Sequence, residues 1–214
     1  MTIQKPTIVL VHGAFAGSSS WNGVILRLHE HGVRAVAAAN PLRSLRTDAA
    51  YVRDVIASVG GPVVLVGHSY GGMVITEAAA ENPAVVGLGY VAAFTPDTGD
   101  SAFTLSTSAP GSTLGEALAA YPVSTGGNEF VIRPDVFHHQ FAADVPEDVA
   151  TLMAATQRPV TEAALSEPLA AQRPAWKDVP SWHVIAEEDL NIPAAVQRAG
   201  AERAGARGVH EIAG

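Results

Sequence analysis

One stretch limits the fold more than any other: Val63-Val64-Leu65-Val66-Gly67-His68-Ser69-Tyr70-Gly71-Gly72-Met73-Val74-Ile75. A β-branched apolar run enters a turn bracketed by glycines, and the turn passes at once into a second apolar run of helical character. A strand that becomes a helix within so few residues is a βα unit, and βα units build parallel sheets covered by helices. The turn itself reads G-x-S-x-G. Its geometry asks Ser69 to occupy a strained backbone conformation that lifts the hydroxyl above the sheet, with Gly67 and Gly71 small because neighbouring backbones pass close by. The helix that follows aims the positive end of its dipole at the same point. The motif alone is weak in a chain with 20 glycines; the strand before it and the helix after it make it specific. The plainer alternative is an ordinary glycine-rich turn that binds phosphate.

The rest of the chain repeats the unit. Strands are predicted over Thr7–Val11, Val33–Ala38, Pro62–Val66, Val85–Ala93, Ser181–Ala186 and Arg207–Ile212. Helices are predicted over Trp21–His31, Asp48–Ser58, Gly71–Glu81 and Pro193–Ala204. Ser18-Ser19-Ser20 offers an N-cap to the first helix, whose inner stripe would be Val24, Ile25 and Leu28. Tyr51, Val52, Val55 and Ile56 form the stripe of the second. Between about residues 96 and 174 the alternation stops, and Gly, Ser, Thr and Pro surround helical pieces without a convincing strand. The expectation is an α/β core over 1–95 and 175–214, with a mostly parallel six-stranded sheet, and a helical cap inserted over 96–174.

Composition narrows the function classes. Of 214 residues, 48% are apolar and 16% charged, enough to fill a core. Thirteen basic against 21 acidic residues, with no basic block, disfavour nucleic acid as a partner. The absence of cysteine excludes disulfides, thiolate nucleophiles and thiolate metal sites. The first residues, Met1-Thr2-Ile3-Gln4-Lys5-Pro6, lack the charged and apolar regions of a secretory leader, and no apolar run has the length of a membrane span. A cytoplasmic protein with no membrane partner is expected, and homodimer formation is left open.

A serine nucleophile needs donors for the oxyanion that its attack creates. One is the backbone N–H after the nucleophile, here Tyr70; the other comes from the loop after an earlier strand, Leu10-Val11-His12-Gly13-Ala14-Phe15-Ala16-Gly17, where Ala14 is placed to donate. His12 reads as a brace for that loop. Phe15, beside it, is a candidate wall of the substrate pocket.

These segments carry a resemblance. Leu10-Val11-His12-Gly13-Ala14-Phe15 with Trp21, Gly67-His68-Ser69-Tyr70-Gly71-Gly72, Tyr90-Val91-Ala92-Ala93-Phe94 with Pro96-Asp97, and Pro180-Ser181-Trp182 running to Glu188-Asp189-Leu190-Asn191-Ile192-Pro193 together resemble the α/β-hydrolase superfamily. Within it they are similar to the small capped group that includes plant methylesterases, hydroxynitrile lyases and bacterial esterases. The resemblance implies a sheet order of 2-1-3-4-5-6 and a triad in the chain order Ser, acid, His. It implies Asp189 as the acid, on the loop after the strand that follows the cap; Asp97, after the fourth strand, is the rival. Glu187 and Glu188 read as surface charges.

The histidine is expected a few residues after the last strand, where the sequence offers none. His210 falls within that strand, His183 reads as a core residue on the preceding one, and His68 belongs to the elbow. His138-His139 reads as cap packing more readily than as a metal pair, because adjacent residues do not converge easily on one ion. The expectation is therefore that the 214 residues are a C-terminally truncated form of a longer protein, with low hydrolytic activity. No metal or organic cofactor is expected. The implied activity is hydrolysis of small, fairly apolar carboxylic or methyl esters through an acyl-enzyme on Ser69. Phe103, Leu105, Phe130, Val136, Phe137, Phe141, Leu152 and Met153 offer pocket walls from the cap, with Phe103 and Phe137 foremost. A hydroxynitrile lyase, lactonase or perhydrolase is the alternative on the same fold, although Gly13 stands where the lyases carry Thr. A signalling receptor for a small apolar ligand is the alternative of another class.

Overall fold

The computed structural model describes residues 5–124 and 126–213. Met1–Gln4, Thr125 and Gly214 lie outside the described residues, and with them most of the stretch read above for a leader. The order of elements in the first half is β1 (Thr7–Val11), a 3-10 turn (Ser18–Trp21), α1 (Asn22–Glu30), β2 (Ala35–Ala38), α2 (Leu45–Val59), β3 (Val63–His68), α3 (Gly71–Ala79) and β4 (Val85–Val91). Next come α4 (Ala102–Ser106), α5 (Leu114–Ala117), β5 (Leu118–Pro122), β6 (Asn128–Ile132), α6 (Phe137–Phe141), α7 (Glu147–Thr156), β7 (Val160–Thr161) and α8 (Glu162–Ser166). A second 3-10 turn (Ala175–Lys177) leads to β8 (Ser181–Ala186), α9 (Ala194–Arg203) and β9 (Gly208–Ile212).

Six strands form one parallel sheet in the order β2-β1-β3-β4-β8-β9. This is the expected order, with the fifth and sixth core strands numbered eight and nine. The core strands are apolar because both faces of a parallel sheet are normally covered. On one face Val9, Val11, Val63, Leu65, Leu88 and Tyr90 are buried beneath α2 and α3. α3 is buried almost all round: Met73, Val74, Ile75 and Ala78 have no exposed surface. Each larger apolar side chain buried there contributes about 1.5–3 kcal/mol.

Two helix expectations need correction. α2 begins at Leu45, three residues before Asp48, because the Ser44 hydroxyl accepts from the Thr47 N–H at 3.2 Å and caps the helix there. Asp48 therefore lies within the first turn and is fully buried. The serines before α1 form the 3-10 turn instead of a cap, and α1 itself buries no residue. Trp21, in the turn, makes the core contact. α1 packs chiefly on that turn and on β2, a four-residue edge strand too short to cover it, so Val24 and Leu26 remain exposed.

The segment between β4 and β8 is not wholly helical. β5, β6 and β7 form an antiparallel sheet, with Leu118 opposite Ile132 and Phe130 opposite Val160. Leu118-Ala119-Ala120 has helical propensity, but pairing with β6 across a turn holding Gly126 and Gly127 at φ 94° and 79° overrides it. This small sheet is tied to the start of α2. The Thr161 N–H donates to the Leu42 carbonyl at 3.2 Å. The Arg43 guanidinium donates to the Pro159 carbonyl at 2.8 Å and pairs with Glu129.

Candidate active site

Ser69 sits between β3 and α3 with φ 53°, in the left-handed region that a non-glycine residue occupies only when its surroundings enforce it. The enforcement is visible. The Ser69 N–H points to the Val91 and Ala92 carbonyls at 3.3 and 3.2 Å, and the Ser69 carbonyl accepts from the Gly72 and Phe94 N–H groups at 2.9 and 3.3 Å. The turn is also packed without room for side chains. A Cβ on Gly71 would stand 2.4 Å from the Val11 carbonyl oxygen, and one on Gly72 would stand 2.1 Å from that of Phe94. A Cβ on Gly13 would meet the Ser69 Cβ at 2.7 Å, so the first loop lies directly on the serine.

That loop is held from behind. His12 is fully buried, with its Nδ1 2.9 Å from the Gly13 carbonyl, and its own carbonyl accepts from Asn40 at 3.0 Å. Burial lowers the His12 pKa, with the Gly13 carbonyl opposing and the Arg158 charge adding to the shift. Phe15 turns the loop at φ 61°. Neither the Ala14 nor the Tyr70 N–H finds an acceptor among the described residues, and both residues are buried. The Tyr70 phenol donates to Asp48 Oδ2 at 3.0 Å, and the Arg43 N–H donates to Oδ1 of the same carboxylate at 3.0 Å. Burial pushes the Asp48 carboxyl up, with those hydrogen bonds opposing; burial and the Asp48 charge push the Tyr70 phenol up.

Ser69 opens into a cavity of about 370 Å3. Phe15, Tyr70, Phe94, Phe103, Leu114, Leu118, Phe141 and Ile192 are among its walls, and among the described residues no charged side chain lines it. Of the eight cap residues offered by the sequence, Phe103 and Phe141 reach it. Phe137 does not, which corrects the expectation: it is 1% exposed and lies one layer behind, with its ring 5.2 Å from that of Phe141. Phe141 in turn meets Phe15 edge-on at 6.2 Å.

A second cavity, of about 410 Å3, adjoins the first and shares Phe141 and Asn191 with it. Its lining includes the titratable side chains His68, His139, Asp144, Glu188 and Asp189. The Asp189 Oδ1 accepts from the Asn191 and Ile192 N–H groups at 2.7 and 3.0 Å, and Oδ2 accepts from Gln197 at 3.1 Å. Burial raises the Asp189 pKa, with these hydrogen bonds pulling it back. Asp97 lines neither cavity. It is paired with Lys177 at 2.9 Å, and that lysine's hydrogen bond is the chief cause of its lowered pKa.

The histidines fall in different places. His183 is 4% exposed, stacked on Tyr90 with centroids 4.7 Å apart, and burial lowers its pKa to about 4. His210 lies exposed on β9. His68 meets Trp21 edge-on at 6.4 Å, and its pKa is lowered to about 4, chiefly by burial and also by His12. His138 Nε2 lies 2.9 Å from the Val145 carbonyl. Among the described residues, no histidine hydrogen-bonds to Ser69.

Two polar residues not singled out in the sequence, Gln140 and Gln197, frame the loop that carries Asp189. Gln140 donates to Asn191 Oδ1 at 3.0 Å and accepts from Thr113 at 3.0 Å, and Asn191 donates back to the Gln140 carbonyl at 3.1 Å. Gln197 reaches Asp189 from α9. A signal existed for it: Gln197 shares the buried stripe of α9 with Gly200 and Ala201, where a polar residue needs partners.

A serine hydroxyl at a cavity floor, near two unengaged N–H groups, is an arrangement that can attack a carbonyl and hold the resulting oxyanion. Comparisons with known proteins agree with the fold. The chain is similar to an alpha/beta hydrolase, nvfD, of Aspergillus novofumigatus, at 31% identity over 213 residues, covering 90% of this chain and 82% of that protein. It is 36% identical over 110 residues to a carbendazim-hydrolyzing esterase of a Nocardioides species, covering 45% and 46% of the two chains. The crystal structure of polyneuridine aldehyde esterase superposes with a TM-score of 0.81 at 21% identity, over 98% of this chain and 91% of that one. A profile of the alpha/beta hydrolase family matches residues 8–214, and the chain belongs to that family.

Proposed function

We propose that this protein is a serine esterase acting on small, fairly apolar carboxylic esters. One observation carries the reading: a strained Ser69 at the floor of an uncharged cavity, with the Ala14 and Tyr70 N–H groups unengaged. In this reading Ser69 attacks the ester carbonyl. Ala14 and Tyr70 hold the oxyanion, the alcohol leaves, and water releases the acid from the acyl-enzyme. Asp189 is the triad acid, because it stands on the cavity adjoining that of Ser69 and Asp97 does not. Phe15, Phe103 and Phe141 face the apolar part of the substrate. The names of the curated relatives, an alpha/beta hydrolase and an esterase, agree with ester cleavage. Position 13 speaks against a hydroxynitrile lyase, since any side chain there would collide with Ser69 and with the His68 carbonyl oxygen at 2.8 Å.

No described histidine is bonded to Ser69, so these 214 residues are expected to turn over slowly. A serine site lacking its paired base retains only part of its acceleration. The test is a panel of p-nitrophenyl and methyl esters, together with fluorophosphonate labelling, on the protein and on Ser69→Ala. The expected result is slow hydrolysis and labelling that the variant abolishes. Equal rates in both proteins would sink the reading. Saturable binding of an apolar ligand with no turnover in any ester assay would favour the receptor alternative.

A further inference from the structure

The acid loop is held by a side chain that belongs to neither the cavity walls nor the loop. Gln197 projects from α9, is 2% exposed, and makes three hydrogen bonds, to the end of β8 and to the loop that carries Asp189. Its Oε1 accepts from the Ala186 N–H at 3.0 Å, at the end of β8. Its Nε2 donates to the Ile192 carbonyl at 2.7 Å and to Asp189 Oδ2 at 3.1 Å. The orientation of the amide is settled by this set. A backbone N–H can only donate, so the atom facing Ala186 is the oxygen, and both amide hydrogens are left for the two acceptors.

The alternatives at this position are worse for a definite reason. A glutamate would set a second carboxylate against Asp189. An apolar residue would leave the Ala186 N–H, the Ile192 carbonyl and one Asp189 oxygen short of a partner in a buried place. Among the described residues, no cation hydrogen-bonds to Asp189; its carboxylate accepts from neutral N–H donors. Two of these come from its own loop, and only Gln197 ties it to the core.

We infer that Gln197 is a positioning residue that fixes the Asp189 carboxylate to the end of β8 and so sets its direction at the cavity wall. Its bearing on catalysis rests on the esterase reading above. Three measurements test it. In the wild-type protein, the Gln197 side-chain NH2 resonances should move with the titration of Asp189. The Asp189 carboxyl carbon, assigned by its loss in Asp189→Asn, should titrate at higher pH in Gln197→Met than in wild type, and higher still in the isosteric Gln197→Glu. In Gln197→Met the Ala186 amide, which loses its acceptor, should exchange with solvent about tenfold faster than in wild type. Gln197 amide resonances that stay flat through the Asp189 titration would overturn the inference, even if neither variant folds. An Asp189 titration unmoved in folded variants would do the same. A shifted titration, combined with ester hydrolysis that Ser69→Ala leaves unchanged, would keep the Gln197 tie and reject the esterase reading.

Discussion

Buried His183 makes stability depend on pH in a way that one substitution isolates. Its side chain lies on β8 against Tyr90, with Nε2 unpartnered, and it titrates near 4 in the folded protein against 6.5 for the free group. Between those values the unfolded chain binds the proton and the folded chain does not. Stability contributed by the neutral ring is therefore present above 6.5, falls as pH drops through that value, and levels off below about 4. The full difference corresponds to about 3 kcal/mol, and the part expressed between about pH 7 and pH 5 to about 2 kcal/mol. His12 and His68 are also lowered and act in the same direction, so the wild-type curve alone does not single out His183. The informative quantity is the difference from His183→Leu, which keeps an apolar group on Tyr90 and cannot titrate. Urea unfolding at a series of pH values should show wild type losing about 2 kcal/mol more than the variant on going from about pH 7 to pH 5. Parallel curves for the two proteins would refute the reasoning.

Two further substitutions probe the elbow. Tyr70→Phe leaves fully buried Asp48 without its phenolic donor and should lower unfolding stability by about 1–3 kcal/mol near neutral pH; an unchanged urea midpoint would show that the bond contributes nothing net. Gly13→Ala places a Cβ against Ser69 and the His68 carbonyl. Such overpacking should cost about 1–3 kcal/mol and slow fluorophosphonate labelling of Ser69 about tenfold or more. Wild-type labelling in that variant would contradict the close packing of the first loop on the elbow.

The α/β core was legible in the sequence because its central strands, β1, β3, β4 and β8, are largely buried. Thr7–Val11 and Ser181–Ala186 are short apolar runs that match their observed limits, and the run before Ser69 leads straight into the turn. The cap strands were not legible. β7 has two residues, β5 mixes alanines with a terminal proline, and both take their conformation from antiparallel pairing with β6, which β5 meets across a turn and β7 only after α6 and α7. Phe137 was misassigned for a related reason: in a five-residue helix the chain pattern does not fix which aromatic faces the cavity and which faces the core. The G-x-S-x-G turn identified Ser69 locally. The ties on Asp189 and Tyr70 come from Gln197 and Asp48, on separate helices, and such tertiary bonds leave no local pattern.

The fit around Ser69 is made by backbone against backbone. The atoms that crowd Gly71 and Gly72 are the main-chain oxygens of Val11 and Phe94, present whatever side chains those positions carry. The cavity walls beyond Ser69 and Tyr70, by contrast, come largely from side chains outside that turn, on the first loop, short helices and the start of β5: Phe15, Phe103, Leu114, Phe141 and Leu118. The two parts can therefore diverge independently. Drift in the wall residues can change which molecules fit the cavity while Ser69 keeps its pose, so a lineage built on this scaffold can reshape the cavity without rebuilding the turn.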